Sequence, residues 1–286
     1  MWSGNAVVSK ASAGQLTAEE MTFYRWAIAS LVLLPCAWPA LRRERKLLYA
    51  RLPRMALLGI LGCALFPYLM YVAASSTSAI HLGLLQALLP VLAVAIGRIL
   101  FGVKIGRRFA IGALLCLLGV AVVIARGDPA VLTQQRPNTG DLVMLCAVVC
   151  FALYSVLAGR WASPLSPCAE MLGQALVATL AVTPLWWLSP GSDGLTPVRL
   201  GLIAYAGIFA STVAPLLWLR GIGRIGPARA ALYFNLLPVM TAALAVAFLG
   251  ESLAASFAVG GALTIAGVII AQIGSAADER RQRPEG

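Results

Sequence analysis

Charged side chains within apolar segments are the residues of this chain best suited to chemistry. Lys10 and Arg25 each lie toward one end of an apolar segment, and Glu19 and Glu20 lie between them. A charged side chain at the centre of a membrane helix costs about 2.5–3.5 kcal/mol on insertion scales, so it needs a partner or a function. Two interpretations stay open: a structural tie to a carboxylate or to the membrane interface, and a role in gating or in binding a carboxylate. The residues that we expect to form a gate or an ion pair are Lys10, Glu20 and Arg25.

Enzyme chemistry has little support in these residues. His81 is the one histidine in the sequence, and a Ser-His-Asp triad would need Asp128, Asp141 or Asp193 beside it, although all three are predicted in loops or at helix ends. The sequence has no glycine–lysine phosphate loop and no ligand spacing typical of zinc. The six cysteines lie mostly in apolar runs and are interpreted as small buried hydrophobic residues. We therefore expect no enzyme activity, no cofactor and no metal.

Polar side chains next to prolines are candidates for a substrate pathway. Gln86 and Asn235 lie about one helical turn before Pro90 and Pro238. A proline leaves a backbone carbonyl one turn earlier without its usual partner, and a neighbouring polar group can use it. Aromatic residues add hydrogen-bonding surface, although tyrosine and tryptophan also form interface belts and small residues also permit close helix packing. The candidate pathway consists of Trp2, Asn5, Tyr68, Tyr71, Gln86, Pro90, Tyr154, Trp218, Tyr233, Asn235 and Pro238.

The elements that must position these residues are membrane helices. Of the 286 residues, 60% are hydrophobic and 12% are charged, and the mean hydropathy is +0.86. A soluble domain has about 25% charged residues, so this composition predicts an integral membrane protein. Segments long enough to cross a bilayer are predicted at 21–41, 54–74, 79–101, 108–126, 140–159, 169–189, 199–220, 227–249 and 254–274.

Basic residues are distributed unevenly between these segments, and this predicts an orientation. The net charge is +11, but the basic residues cluster between apolar runs, as orientation signals do, and do not indicate nucleic acid. With the C-terminus inside, all 22 lysines and arginines fall on the inner side except Lys10, Arg25, Arg126, Arg136 and Arg199. We therefore expect a multi-pass protein of the inner (plasma) membrane, with Arg45, Arg107 and the C-terminal tail in the cytoplasm and Gln134 and Asp193 outside.

An internal repeat relates the two halves of the chain. A shift of 148 positions aligns Leu88-Leu89-Pro90-Val91 with Leu236-Leu237-Pro238-Val239 and continues without a gap over roughly seventy residues. Equivalent helices cross in opposite directions in the predicted orientation, so the halves are inverted repeats, each with an odd number of helices. The predicted fold is an all-α polytopic membrane protein with two inverted repeats of about five transmembrane helices, residues 1–127 and 139–274, followed by a cytoplasmic tail, residues 275–286.

Several short motifs add a family resemblance. They are Trp2-Ser3-Gly4-Asn5, the basic residues Lys10 and Arg25, the helix prolines Pro90 and Pro238, and Gly250-Glu251. In this order they resemble the EamA-like branch of the drug/metabolite transporter superfamily, whose members are inner-membrane exporters and permeases with about ten helices. The chain departs from the family pattern at Gly102-Val103, which lacks the glutamate expected there, and in helix one, of which only the second half is present.

The resemblance implies a transporter that exports small amphipathic metabolites, such as amino acids, their analogues or drugs, by alternating access and without ATP hydrolysis. Its partners would be a small-molecule substrate and the lipid bilayer, with no nucleic acid. A non-transporting membrane module, such as a sensor or a lipid-handling partner subunit, remains the alternative. Residues 1–13 would reach roughly 20 Å against a hydrocarbon core of about 30 Å, so we also expect that the first helix is truncated. We favour a natural start upstream of Met1; the alternatives are an N-terminus that reaches water through the central cavity and a first segment that does not insert.

Overall fold

A computed structural model of the protein describes residues 1–102, 106–124, 138–161, 163–191, 194, 196–225, 236–252 and 254–282, and the described chain contains helices and no strand. The helices are α1 Trp2–Ser12, α2 Ala18–Arg43, α3 Arg45–Ala74, α4 Ala79–Gln86, α5 Leu89–Phe101, α6 Arg107–Ile124, α7 Thr139–Arg160, α8 Pro167–Leu188, α9 with its consecutive stretches Pro197–Ala204, Tyr205–Val213 and Ala214–Ile225, α10 Leu237–Leu249 and α11 Ala255–Gln282. The predicted all-α fold is confirmed.

Long apolar helices account for the membrane character of the chain. Among the described residues, α2, α3, α7, α8 and α9 are long and apolar enough to cross a membrane, and α4 with α5 adds a sixth if the bent pair is one span. Large apolar side chains are exposed on these helices, as contact with lipid requires; Ile99 is 80% exposed and Leu188 is 81% exposed. Part of the predicted span 227–249 lies outside the described residues, and α11 runs through Gln282 into the predicted tail.

The span predicted at 79–101 is two helices rather than one. Helices α4 and α5 meet at Ala87 and Leu88 with a bend of 40°. Pro90 has no N–H to donate to a carbonyl in the preceding turn, which weakens the helix at this joint. The backbone closes the joint with shorter-range bonds from the Ala87 N–H to Leu84 and from the Leu88 N–H to Leu85.

Backbone features recur at the repeat spacing of 148. Helices α5 and α10 begin and end at equivalent positions, and each has a proline in its first turn. Each ends at a left-handed glycine, Gly102 with φ 69° and Gly250 with φ 65°, a conformation that a side chain would strain. π-Helical stretches interrupt α3 at Gly59–Leu65 and α9 at Tyr205–Val213, and their last residues are again equivalent. No hydrophobic pattern in the sequence predicted these stretches.

Helices α6 and α11 pack antiparallel through glycines. A methyl group on Gly112 would collide with the backbone of Gly267, and one on Gly119 would collide with the backbone of Gly260. The repeat shift exchanges Gly112 with Gly260 and Gly119 with Gly267, so it converts one contact into the other. A contact that maps onto itself when its two partners are exchanged is the kind that a two-fold axis produces.

Polar contacts join the two halves at both ends of the helices. At the end where α2 begins, the hydroxyls of Thr17 and Ser189 lie 3.3 Å apart. At the opposite end, the Ser166 N–H donates to the Glu44 carboxylate at 3.1 Å. The charge distribution predicts that the two residues of each pair lie on the same side of the membrane. These contacts are therefore consistent with the predicted order in which the helices cross the membrane.

A disulfide joins Cys36 of α2 to Cys168 of α8, with the Cα atoms 6.1 Å apart. The interpretation of all six cysteines as unpaired buried residues is therefore wrong for this pair. Sequence spacing gave no sign of it, because the two residues are 132 positions apart and meet only through the packing of α2 against α8.

Candidate functional site

Helix α1 belongs to the first half and contacts both the second half and the rest of the first half. Toward the second half, Trp2 Nε1 donates to the Ala210 carbonyl at 3.1 Å, and the Trp2 ring meets the Trp218 ring edge-on with centroids 5.7 Å apart. Toward the first half, Lys10 Nζ donates to the Ala74 carbonyl at 3.0 Å. The short first helix thus holds its polar side chains at the boundary between the halves.

Two predicted pathway residues converge on Met70. The amide nitrogen of Asn5 lies 4.0 Å from Met70 Sδ, and that of Gln86 lies 3.9 Å from the same sulfur and 3.3 Å from the Leu82 carbonyl. Asn5 is 7% exposed, and its Oδ1 has no hydrogen-bond partner among the described residues. Because a thioether sulfur is a weak acceptor, this group of side chains retains hydrogen-bonding capacity.

Arg25 is the centre of a second polar cluster, the Arg25 cluster, which also contains Trp26, Tyr71 and Ser211. Arg25 is 6% exposed, its Nε donates to Ser211 Oγ, and its Nη1 donates to the Tyr71 hydroxyl, both at 2.8 Å. The guanidinium carbon lies 5.4 Å from the Trp26 ring centroid and 5.7 Å from that of Tyr71, within the range of cation–π attraction. The cluster joins α2 and α3 of the first half to α9 of the second.

The π-helical stretch of α9 positions the Ser211 hydroxyl. Ser211 lies within this stretch, and Gly207 at its start packs so closely on α2 that a methyl group there would meet the Arg25 carbonyl oxygen. Wide helical turns of this kind are frequent at functional sites. Pro215 follows the stretch of α9 and Pro67 follows that of α3, and each lacks the N–H that a regular turn would use. This pair of repeated prolines is the sequence signal that was available for the π-helical stretches.

An ion pair of Lys10 or Arg25 with Glu19 or Glu20 was one of the interpretations left open, and no such pair is closer than 4.0 Å among the described residues. Glu20 instead closes a capping box at the start of α2: its carboxylate accepts from the Thr17 N–H at 3.0 Å, and its N–H donates to Thr17 Oγ1 at 3.2 Å. The unpaired N–H groups at a helix start compete with a cation for such a carboxylate, and a gating role of these three residues stays a prediction.

A third polar cluster, the His81–Asp141 cluster, joins the halves where α4 and α7 begin. His81 Nδ1 lies 3.1 Å from each carboxylate oxygen of Asp141, which is 4% exposed, and the Thr77 hydroxyl donates to the same carboxylate. Glu251 accepts from the Ala79 N–H at 2.8 Å and from the next N–H at 3.2 Å, so it caps α4 from the other half of the chain. The histidine and one of the three aspartates considered above therefore meet in a contact between the halves.

The remaining predicted pathway residues lie elsewhere. The Tyr68 hydroxyl donates to Glu19 at 3.0 Å, close to the start of α2. Tyr154 packs against Phe151 with ring centroids 5.2 Å apart and lies over Gly62 in the π-helical stretch of α3. The first turns of α5 and α10 contain Pro90 and Pro238, and the positions outside the described residues are Tyr233 and Asn235.

Sequence reasoning missed Trp26, Met70 and Ser211. A methionine or tryptophan in an apolar run is indistinguishable from packing, and Ser211 stands in no motif that the analysis recognised. Only the adjacency of Trp26 to Arg25 was visible in the sequence. The rest depends on which helix faces meet.

Comparison with known proteins gives a consistent result along the chain. A family model described as the EamA-like transporter family matches residues 1–125 and again residues 138–272. An uncharacterized transporter of Bacillus subtilis, YyaM, is 27% identical over 267 residues, which cover 92% of this chain and 87% of that protein. A probable terminal-alkyne amino-acid exporter of Streptantibioticus cattleyicolor is 27% identical over 257 residues, which cover 87% of this chain and 82% of that protein.

A solved crystal structure shares the fold. It superimposes with a TM-score of 0.65 at 20% sequence identity, and the match covers 99% of this chain and 95% of the other. At this identity the likeness supports the helical architecture alone.

Proposed function

Because the chain belongs to the EamA-like transporter family, it is a multi-pass membrane transporter, and we propose that it exports small amphipathic metabolites, such as amino acids, their analogues or small drugs, by alternating access. We place it in the inner membrane with its C-terminus in the cytoplasm, as the distribution of lysine and arginine favours. The family sets the class of activity; the substrate class, the direction and the mechanism are proposals.

Unpaired polar atoms in the interior carry the proposal. Among the described residues, Asn5 Oδ1, Trp26 Nε1, Ser30 Oγ and Thr241 Oγ1 are buried without a hydrogen-bond partner. Each such atom costs about 1–3 kcal/mol, and a fold usually avoids that cost. The four atoms belong to α1, α2 and α10, which come from both halves. A polar solute or water that enters between the halves would supply the missing bonds.

The side chains at the boundary between the halves favour a solute with both polar and apolar parts. The rings of Trp26 and Tyr71 lie beside the Arg25 guanidinium and the Tyr71 hydroxyl, and the rings of Trp2 and Trp218 meet edge-on. Such mixed surfaces suit small organic solutes. One relative is named as a probable terminal-alkyne amino-acid exporter, and this supports amino acids and their analogues as the first solutes to test.

Two observations support alternating access between inverted halves. The glycine contact of α6 with α11 maps onto itself under the repeat shift, as two halves related by a two-fold axis require. Polar contacts between the halves occur at both ends of the helices, so an opening at either end has identifiable bonds to break. Inverted repeats around a central site can open to either side by similar motions.

Transport into reconstituted liposomes tests the proposal. Purified protein in liposomes without ATP should exchange labelled amino acids and analogues across the membrane faster than protein-free liposomes do. The panel should include aromatic and aliphatic amino acids, an alkyne amino acid and small cationic drugs, each with and without an imposed pH gradient. Strict dependence on added ATP, or no flux for any member, contradicts the proposal.

A further inference from the structure

Arg25 is a buried cation that has no anionic partner in the part of the chain that the structure describes. It lies two turns into α2, a helix long and apolar enough to cross the membrane, and is 6% exposed. Its two hydrogen-bond partners, the hydroxyls of Ser211 and Tyr71, are both neutral. No carboxylate among the described residues lies within ion-pair distance of the guanidinium. Cations buried within membrane helices normally pair with a carboxylate or lie on a substrate pathway.

The carboxylates of the surrounding helices are committed elsewhere. Glu20, on the same helix, closes the capping box of α2, and Glu19 accepts from Tyr68. Asp141 holds His81 and Thr77. The fold thus uses its nearby acids in helix caps and in the contact between the halves. Within the described chain, the most buried arginine is left with two neutral hydroxyls and two aromatic rings.

The guanidinium also retains donors. An arginine has five N–H groups, and the bonds to Ser211 and Tyr71 use one on Nε and one on Nη1. Three N–H groups, one on Nη1 and two on Nη2, have no hydrogen-bond partner among the described residues. The bonds to Ser211 and Tyr71 and the rings of Trp26 and Tyr71 hold the plane of the guanidinium in place. A fixed guanidinium with donors on both terminal nitrogens suits the two oxygens of a carboxylate.

We propose that Arg25 binds the carboxylate of the transported solute, which makes the substrates carboxylate-bearing amphipathic molecules rather than neutral or cationic ones. This inference rests on the proposed transport function and narrows it. The solute supplies the missing anion, its apolar part lies against the aromatic rings of the Arg25 cluster, and departure of the solute restores the uncompensated cation.

Four ligands with one common side chain test the inference on the wild-type protein. They are phenylalanine, 3-phenylpropionate, phenylalaninamide and phenethylamine, which separate the carboxylate from the amine. The shift of the thermal unfolding temperature in detergent measures the binding of each ligand without transport. A second assay measures how well each ligand competes with the transport of a labelled substrate into liposomes. These liposomes consist of phosphatidylcholine, so that no anionic lipid headgroup can occupy the site. We expect the two carboxylates to bind and compete at least about tenfold better than the amide and the amine.

Substitutions of Arg25 test whether the preference for carboxylate ligands depends on this residue. In Arg25→Gln the advantage of the carboxylates should disappear while the amide binds as before, and Arg25→Lys should keep part of it, since the charge remains but the two-point geometry is lost. Arg42→Gln, an exposed arginine at the other end of the same helix, is the matched control and should behave as wild type.

The outcomes separate this inference from the proposed function. The role of Arg25 is overturned if the wild type binds all four ligands equally, or if Arg25→Gln keeps the carboxylate advantage unchanged. In either case, measured transport of the amide or the amine would still uphold the proposed function. Absence of flux for the whole panel overturns both. If Arg25→Gln does not fold, the wild-type ligand comparison decides alone.

Discussion

At the scale of single residues, the interior of this transporter is defined by polar groups with incomplete partners. Asn5 and Gln86 share a methionine sulfur, and the hydrogen bonds of Arg25 to other described residues go to hydroxyls. A fold selected for stability alone would fill such positions with apolar side chains, because a buried unpaired polar atom costs about 1–3 kcal/mol. Their presence at the boundary between the halves therefore supports the proposal that a solute binds there.

We expect Asn5→Leu to separate transport from stability. Removal of the unpaired Oδ1 should leave the free energy of unfolding unchanged or raise it by about 1 kcal/mol, whereas loss of a hydrogen bond to the solute should slow transport about tenfold. Thermal unfolding in detergent and flux in liposomes measure the two effects. Ser75→Ala, at an exposed position between α3 and α4, is the control and should change neither. A parallel loss of stability and transport in Asn5→Leu would make Asn5 a packing residue.

At the scale of helices, small residues and caps decide how the elements meet. Glycines let α6 and α11 approach through their backbones, and Glu251 of one half caps α4 of the other. Gly250-Glu251 was one of the motifs of the family resemblance, and the structure gives a physical reason for it. The left-handed glycine ends α10, and the carboxylate of the glutamate that follows accepts from N–H groups at the start of α4. The absence of a glutamate after Gly102 leaves the first half without the equivalent carboxylate.

The α6–α11 contact should be intolerant of a single methyl group. Gly112→Ala would force the helices apart and should destabilise the protein by about 1–3 kcal/mol. Gly159→Ala is the matched control, because a methyl group there meets nothing within 4 Å, and it should stabilise α7 by about 0.5–1 kcal/mol. We expect the unfolding temperature to fall in Gly112→Ala and to rise in Gly159→Ala. Equal shifts would show that the close approach of α6 to α11 does not require glycine.

Glu251→Ala should remove the cap of α4. Loss of a side-chain cap costs about 0.5–2 kcal/mol, and Glu251→Gln, which keeps one carbonyl oxygen, should lose less than Glu251→Ala does. Ser252→Ala at the exposed neighbouring position serves as the control. Thermal unfolding ranks the four proteins, and an Ala variant as stable as the wild type would mean that water satisfies the N–H groups of α4 equally well.

At the scale of the whole molecule, contacts between the halves at both ends define the two closures that alternating access would open in turn. The His81–Asp141 cluster and the Glu251 cap lie at the predicted outer end, and the Glu44–Ser166 contact lies at the predicted inner end. The assignment of outer and inner rests on charge alone, so orientation is the property to measure first.

We expect Gln134→Cys to react with a membrane-impermeant thiol reagent on intact cells and Leu47→Cys to remain unlabelled until the cells are opened. The reason is the excess of lysine and arginine beside Leu47 and in the C-terminal tail, which holds these segments in the cytoplasm. A background without native cysteines removes the signal of residues such as Cys146, which is exposed. Labelling of Leu47→Cys alone in intact cells would reverse the orientation.

The sequence by itself determined the class of protein, the approximate course of the helices and the repeat spacing. The length of an apolar segment and the charge of its flanking loops are local properties of the sequence. The thickness of the bilayer and the preference for basic loops on the cytoplasmic side constrain them, so both can be interpreted without knowledge of any tertiary contact. Prolines and glycines at equivalent positions likewise marked the helix starts and ends of α5 and α10 because their backbone preferences are intrinsic.

Only the tertiary structure decided which polar groups meet. Arg25 and Ser211 are 186 positions apart, and their contact depends on the rotation of two helices and on a π-helical stretch that shifts the side-chain register. The same holds for the Cys36–Cys168 disulfide. It holds also for Glu20, whose carboxylate accepts from the Thr17 N–H at the start of α2, a contact that charge complementarity alone did not indicate. Periodicity fixes which residues share a helix face, but it leaves open which face meets which, because that depends on packing the whole set of helices at once.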